Sequence, residues 1–158
     1  TQPGFEHVEA AALPLLSDKL RSVRIIAGSM YGEKSPVGTH SDLFYADVTL
    51  HASGRIPLPT EHIERGIYIV EGSVEIAGDV FEAGRLLVFH HKDPIVISST
   101  QGARFMMLGG EPMDGPRYIW WNFVSSSKER IDAAKDDWAR ARFAIVPGDE
   151  KEFIPLPE

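Results

Sequence analysis

Turn-forming residues recur about every 8 to 12 residues across about 100 residues of this chain, a spacing typical of an all-β sandwich or barrel. Three of these breaks are EGS at 71–73, AGD at 77–79 and DP at 93–94. Short segments of strand character lie between them. In the clearest, LFYADVTL at 43–50, apolar and polar side chains alternate as they do on a half-buried strand. We therefore predict short antiparallel strands that form a barrel.

The last quarter of the chain changes from a strand period to a helix period. Ser126 and Glu129 have the spacing of a capping box, in which the serine hydroxyl and the glutamate satisfy free amides at the start of a helix. An apolar stripe at three- and four-residue steps follows and consists of Ile131, Ala134, Trp138 and Ala141. We predict one C-terminal α-helix packed on the outside of the barrel, with Trp138 as its anchor.

Composition excludes several classes of function. The formal net charge is −7 without a basic cluster, which argues against direct nucleic-acid binding. Cysteine is absent, so disulfides, thiolate metal sites and a cysteine nucleophile are excluded, and a reducing, cytoplasmic location is expected. No apolar run approaches the roughly 18 residues that a membrane-spanning helix needs.

The 158 residues suit one domain. We predict an N-terminal linker or extension over residues 1–22, a barrel over 23–124, and a helix with an extended tail over 125–158 in the same domain. The chain opens on TQPG rather than on Met, so we expect the natural protein to be longer.

A family resemblance comes from two C-terminal stretches. GGEPMDGPRYIWWNFVSSSKERI and WARARFAIVPGDEKEFIPLP resemble the C-terminal half of pirin-like proteins, which carry two cupin barrels in one chain. The resemblance implies a cupin (jelly-roll-like) fold. It also implies that iron, held by three histidines and a glutamate, sits in an N-terminal barrel that is absent here. Some family members open flavonols with dioxygen, and others act as transcription co-regulators.

The general cupin signature gives no metal site in this barrel. Counting back from Gly72 puts Arg65 at the position of the metal-binding acid and no histidine at the two histidine positions. Counting forward from Gly54 retains His62 alone, and the second half of the signature, counted from Gly84, adds nothing. One imidazole does not hold a catalytic metal ion, so we expect no metal and no cofactor in this chain.

Arg65 is the most informative of the candidate site residues. If the strand runs straight from 65 to 70, Arg65 faces the barrel interior, where a guanidinium suits a carboxylate or phosphate ligand. We predict a small-organic-anion site at the barrel mouth formed by Arg65, with His62 and Tyr68 as neighbours. The alternatives are an ion pair of Glu64 with Arg65 in water at the rim, and a His62 that faces water.

These expectations favour a metal-free cupin domain that serves as a structural, partner-binding or small-molecule-binding half of a bicupin-like protein. A barrel without its companion exposes an apolar surface, so we predict a homodimer or docking onto another protein there. The alternative is a quercetinase-like dioxygenase or an isomerase, together with the absent N-terminal barrel.

Overall fold

The computed structural model describes residues 4–157, and antiparallel strands dominate it. A short 3-10 helix at Ala10–Ala12 comes first. The strands are β1 (Leu15–Ser17), β2 (Arg21–Met30), β3 (Glu33–Lys34), β4 (Leu43–Leu50), β5 (Gly54–Pro57), β6 (Glu64–Ile76), β7 (Asp79–Glu82), β8 (Leu86–Phe89), β9 (Val96–Ser99), β10 (Ala103–Gly110), β11 (Tyr118–Trp120) and β12 (Phe123–Ser125). Helix α1 spans Lys128–Ala139. The predicted fold of short antiparallel strands with a C-terminal helix is confirmed.

The chain divides into two compact units, with the boundary between Pro112 and Met113. The first unit contains a ten-stranded sheet in the order β1-β2-β4-β10-β6-β9-β5, with β3 beside β2 and both β7 and β8 beside β6. Strand β1 lies within the segment predicted to be a linker and pairs with β2, with Leu16 opposite Val23.

Strand β6 is the longest element of the first unit, with 13 residues. Its first part pairs with β10 and β8, and its last part pairs with β7 and contacts β9. The sequence predicted two strands here, separated at 71–73. Instead Gly72 continues the strand with φ of +72°, and a Cβ there would lie 2.4 Å from the carbonyl oxygen of Gly102. The glycine therefore lets one strand change its neighbours without ending.

The core of the first unit consists of the inward-facing side chains of these strands. In β4 the buried residues are Phe44, Ala46, Val48 and Leu50, which is the face that the alternating sequence predicts. Ile25, Ile67 and Phe105 contribute the same kind of side chain from neighbouring strands and are fully buried. Burying such side chains is the main favourable term in folding, at about 1.5–3 kcal/mol each.

The second unit is a β11–β12 hairpin, helix α1 and the C-terminal tail. Trp121 lies in the turn of the hairpin with φ of +53°. The ring of Trp138 packs edge-on against Trp121 at a centroid distance of 5.2 Å and against Phe143 at 5.5 Å. Its indole N–H donates a hydrogen bond to the carbonyl of Ile154 at 2.7 Å. Trp138 therefore joins the helix to the hairpin and to the tail.

The start of α1 corrects one prediction. The N-cap is Ser127 rather than Ser126, and its hydroxyl accepts a hydrogen bond from the amide of Arg130 at 3.4 Å. Glu129 lies in the first turn and contacts the Ser127 hydroxyl at 2.5 Å, which lowers the pKa of the Glu129 carboxyl. A carboxylate in that turn also interacts favourably with the helix dipole. Within residues 4–157, no helix has both the length and the apolar character needed to cross a membrane.

Candidate functional site

Arg65 lies inside the end of the sheet at which β6 begins. Residues from Arg65 onward on β6 alternate, so that Arg65, Ile67 and Ile69 point into the core while Tyr68 points outward. The predicted orientation of Arg65 is confirmed, and the side chain is only 1% exposed. The alternative of an ion pair in water with Glu64 is wrong, because a guanidinium this deep is shielded from solvent.

The guanidinium of Arg65 ties two loops together. Its Nη1 nitrogen donates to the carbonyl of Pro59 at 3.2 Å and to the carbonyl of Asp93 at 3.1 Å. The other terminal nitrogen donates to the carbonyl of His90. Pro59 belongs to the loop between β5 and β6, and the other two acceptors belong to the loop between β8 and β9. We call this arrangement the arginine clamp.

The arginine clamp holds its charge without a counter-ion. Among the described residues, no carboxylate forms a salt bridge with Arg65, and its Nε atom has no hydrogen-bond partner. Carbonyl dipoles therefore provide the compensation that a buried charge requires. Three of the five N–H bonds of the guanidinium are committed to backbone oxygens, and the buried Nε is out of reach of water.

His62 lies at the same end of the barrel and is also buried, with 7% exposure, so the expectation that it faces water is wrong. Its ring packs on Phe44 at a centroid distance of 5.3 Å. Its Nε2 atom is 3.4 Å from a carboxylate oxygen of Asp42, without the geometry of a hydrogen bond. Both ring nitrogens of His62 lack a hydrogen-bond partner within residues 4–157.

Gly109 connects the positions of Arg65 and His62. On β10 it lies between Phe44 of β4 and Arg65 of β6. A Cβ at Gly109 would lie 2.4 Å from the carbonyl oxygen of Glu64 and 2.5 Å from the ring of Phe44. Phe44 therefore occupies space above the glycine, and His62 packs on the same ring.

Tyr68 is not brought to the other two candidate residues. It lies on the opposite side of β6 and is 43% exposed. The anion site predicted from Arg65, His62 and Tyr68 would need all three on one side of the sheet. The structure brings Arg65 and His62 to one end of the interior and places Tyr68 on the exterior.

The donors around Arg65 do not fit a metal ion. Counted back from Gly72, the cupin signature assigns this interior position to an acid, whereas the chain has a cationic group with donors only there. Across residues 4–157, no cluster of three or more His, Cys, Asp or Glu side chains has the arrangement of a metal site.

Sequence reasoning predicted an exposed apolar surface but did not locate it. The exterior of β4, β10, β6 and β8 carries five large apolar or aromatic side chains, which we call the outer face: Tyr45, Tyr68, Leu86, Val88 and Leu108. Val88 is 76% exposed and Leu86 is 57% exposed. A groove of about 640 Å³ runs along this side, between β4 and β8. The signal was present in the runs LFY and LLVF, which are apolar on both sides of their strands.

Comparisons with known proteins agree with the fold. The family described as "Pirin C-terminal cupin domain" matches residues 45–144. A pirin-like protein of Caulobacter vibrioides is 43% identical over 157 residues, covering 99% of this chain and 54% of that protein. Pirin-1 of Arabidopsis thaliana is 28% identical, with 90% and 52% covered.

A crystal structure of quercetin 2,3-dioxygenase from Acinetobacter baumannii superposes with a TM-score of 0.80 at 26% identity, covering 92% of this chain and 50% of that one. The predicted cupin fold is confirmed by this likeness. The chain spans about half the length of the curated relatives that it matches.

Proposed function

We propose a function from one premise: this chain belongs to the pirin family, as its C-terminal cupin domain. Its role is that of a structural, partner-binding half, which holds no metal ion in its own barrel and docks through the outer face. The relatives are about twice as long, so the activity of a complete protein is a property of more than this domain.

The outer face is the observation that carries this proposal. An exposed Val88 and Leu86 stand side by side with two tyrosines and Leu108 on a continuous antiparallel sheet. Contiguous apolar surface of this kind is usually a site of association in a soluble protein, because water contact is unfavourable for it. Strand β8 also forms an edge, which makes the surface accessible to another chain.

The barrel interior supports the part of the proposal that concerns the absence of a metal ion. In the register counted back from Gly72, the arginine clamp takes the position of the metal-binding carboxylate; its guanidinium repels a cation and donates its hydrogen bonds to the protein itself. The small-anion site predicted at Arg65 is tested with dicarboxylates. Because its free N–H groups are buried, we expect dicarboxylates to leave the melting temperature unchanged. An Arg65-dependent rise in the melting temperature would restore the anion site.

Binding to the other half of a relative tests the proposed role. The N-terminal half of the Caulobacter vibrioides pirin-like protein, produced separately, is titrated with this chain in a calorimeter. We expect measurable binding at about 100 µM or below, weakened at least about tenfold by Val88→Lys, which places a charge at the most exposed apolar position of the outer face.

Glu75→Lys is the control, since it introduces the same lysine side chain, with an even larger change in net charge, at an exposed position of β6 away from the outer face. If neither this titration nor any self-association is detected, the partner-binding role is wrong.

A second candidate function comes from the likeness to quercetin 2,3-dioxygenase: this chain is the supporting half of a longer flavonol dioxygenase. Two measurements distinguish this function from the partner-binding role: elemental analysis of the purified chain, and oxygen uptake in the presence of quercetin. We expect no bound metal and no oxygen uptake by this chain alone. Stoichiometric iron with quercetin-dependent uptake would place the enzyme activity in this barrel.

A further inference from the structure

The two ends of the ten-stranded sheet face each other across a cleft. Strand β1 is the last strand at one end and β5 is the last strand at the other. The cleft between them has a volume of about 360 Å³ and is lined by Leu16 of β1, Val23 of β2 and Ile56 of β5. Within residues 4–157, no ladder joins β5 to β1 or β2, so the barrel is open along this line, which we call the seam.

Side chains at the two ends of β2 take the place of a ladder at the seam. Hydrogen bonds to β9 alternate along β5, so the carbonyls of Arg55 and Pro57 point away from β9 and toward the seam. Arg21, the first residue of β2, donates from Nη1 to the carbonyl of Arg55 at 3.3 Å. Tyr31, which follows the last residue of β2, donates from its hydroxyl to the carbonyl of Pro57. These two side chains therefore satisfy carbonyls that lack a strand partner.

Backbone contacts close one end of the seam, and a side chain closes the other. Near the start of β2, the amide of His51 donates to the carbonyl of Leu20 at 2.9 Å. A Cβ at Gly54 would lie 2.5 Å from the same carbonyl oxygen, so the two segments are in direct backbone contact there. At the far end of β2, the hydrogen bond comes from the side chain of Tyr31. Breaking that bond disturbs no ladder.

The backbone at Tyr31 indicates that its side chain has a role. Tyr31 and Gly32 form the two-residue loop between β2 and β3, with φ of +52° and +83°. The first position of such a loop favours Asn, Asp or Gly, because a left-handed backbone is strained for most other residues. A strained residue of this kind persists where its other contacts hold it in place.

The hydroxyl of Tyr31 also covers an atom of the barrel interior. It lies 3.8 Å from Sδ of Met107, a side chain of β10 with no exposure. Tyr31 as a whole is 38% exposed and lines the cleft, so its side chain reaches from the surface to the core. Loss of water around the hydroxyl raises the pKa of Tyr31, which keeps the group a hydrogen-bond donor near neutral pH. Movement of this one side chain would connect the cleft with the sulfur of Met107.

We propose that Tyr31 is the latch of a side entrance to the barrel. In the closed state its hydroxyl holds Pro57 and covers Met107. In the open state the ring has left the seam, and the cleft extends to the sulfur atom as a transiently formed pocket. Because the walls are apolar and Arg21 at the mouth is paired with Asp18 at 3.1 Å, the entrance suits small uncharged molecules. The opening is local, since the pairing of β2 with β4 remains intact.

Oxidation of Met107 by hydrogen peroxide reports on the open state. Peroxide is small and uncharged, and it transfers one oxygen atom to the thioether and leaves as water. Tyr31→Phe keeps the ring and removes the hydrogen bond, which shifts the population of the open state by about fivefold. We therefore expect Met107 to be oxidised about fivefold faster in Tyr31→Phe, as measured by tandem mass spectrometry. Met113, which is 70% exposed, is the internal reference, and its rate should be unchanged.

Ile69→Val is the control for a general loss of stability. It removes one methyl group from a fully buried side chain of β6, which destabilises the fold about as much as the loss of one hydrogen bond. We expect it to leave the oxidation rate of Met107 unchanged. If both variants accelerate the oxidation equally, Met107 is reached by global unfolding and the latch is refuted.

Tyr31→Asn provides a second variant of the latch itself. Asparagine suits the left-handed turn and removes the whole ring, so the hairpin is retained while the seam loses its cover. We expect this variant to accelerate the oxidation of Met107 at least as much as Tyr31→Phe does. A rate for Met107 that is unchanged in both Tyr31 variants would also refute the latch. Binding through the outer face is measured separately and does not depend on this result.

Discussion

Replacing Arg65 by Met removes the arginine clamp while keeping a side chain of similar length in the core. Hydrogen bonds of a charged donor are worth about 1.5–3 kcal/mol each, so three of them contribute about 6 kcal/mol before costs. Keeping an ion out of water without a carboxylate partner costs several kcal/mol, which we set at about 3. We therefore expect Arg65→Met to lower the free energy of unfolding by about 3 kcal/mol.

Urea denaturation followed by tryptophan fluorescence and circular dichroism measures this loss. At about 2–4 °C per kcal/mol for a chain of this size, the melting temperature falls by about 6–12 °C. Hydrogen exchange adds a local readout, because the loops that supply Pro59, His90 and Asp93 lose their shared donor. We expect Arg65→Met to increase the exchange rate more in those two loops than in β4, which the clamp does not contact.

Two further variants make this prediction decisive. Arg65→Lys retains a charge but offers a compact ammonium in place of a planar fork, so we expect an intermediate loss. Arg55→Met removes an exposed arginine on β5 and changes stability by less than about 0.5 kcal/mol. If Arg65→Met is as harmless as Arg55→Met, the buried hydrogen bonds do not stabilise the barrel, and the structural role of the clamp is refuted.

Three other predictions follow from single positions. Gly109→Ala introduces a methyl group into contacts of 2.4 and 2.5 Å and lowers the unfolding free energy by about 2 kcal/mol in urea, whereas Gly115→Ala, which enters open space, does not. Ser127→Ala removes the helix N-cap and costs about 1 kcal/mol by the same measurement; an equal loss for Ser126→Ala would contradict the observed cap. Loss of water around its hydroxyl raises the pKa of Tyr31, so the folded chain keeps this proton above pH 10 while the unfolded chain releases it. Stability from Tyr31 is therefore present below about pH 10 and lost progressively as the pH rises above it, and absorbance at 295 nm should reveal one phenol fewer titrating near pH 10.

Local patterns were sufficient for the elements whose sequence carries one periodicity. Strand β4 begins and ends where the alternation of LFYADVTL predicts, and the orientation of Arg65 followed from the same two-residue period. The sequence did not predict the full length of β6, because EGS at 71–73 has the composition of a turn. The left-handed conformation of Gly72 is set by its approach to Gly102, a contact distant in sequence.

The partners of Arg65 were beyond prediction for a related reason. Its acceptors are backbone carbonyls in two loops. Because every residue has a backbone carbonyl, the sequence does not show which residues accept these hydrogen bonds. The cap of α1 was displaced by one residue because SSS offers three equivalent hydroxyls. His62 was misjudged because its burial depends on Phe44, which belongs to another strand.

The acceptors of the arginine clamp do not titrate. A guanidinium paired with carboxylates releases its neighbours in acid, as those carboxylates take up protons. Backbone carbonyls do not take up protons in this range, so the hydrogen bonds from Arg65 to the loops of Pro59 and His90 persist in acid. The same acidic conditions would weaken the exposed salt bridge of Arg104 with Asp47. The arginine clamp is therefore a fixed connection between the two loops, whose strength does not depend on protonation of its acceptors.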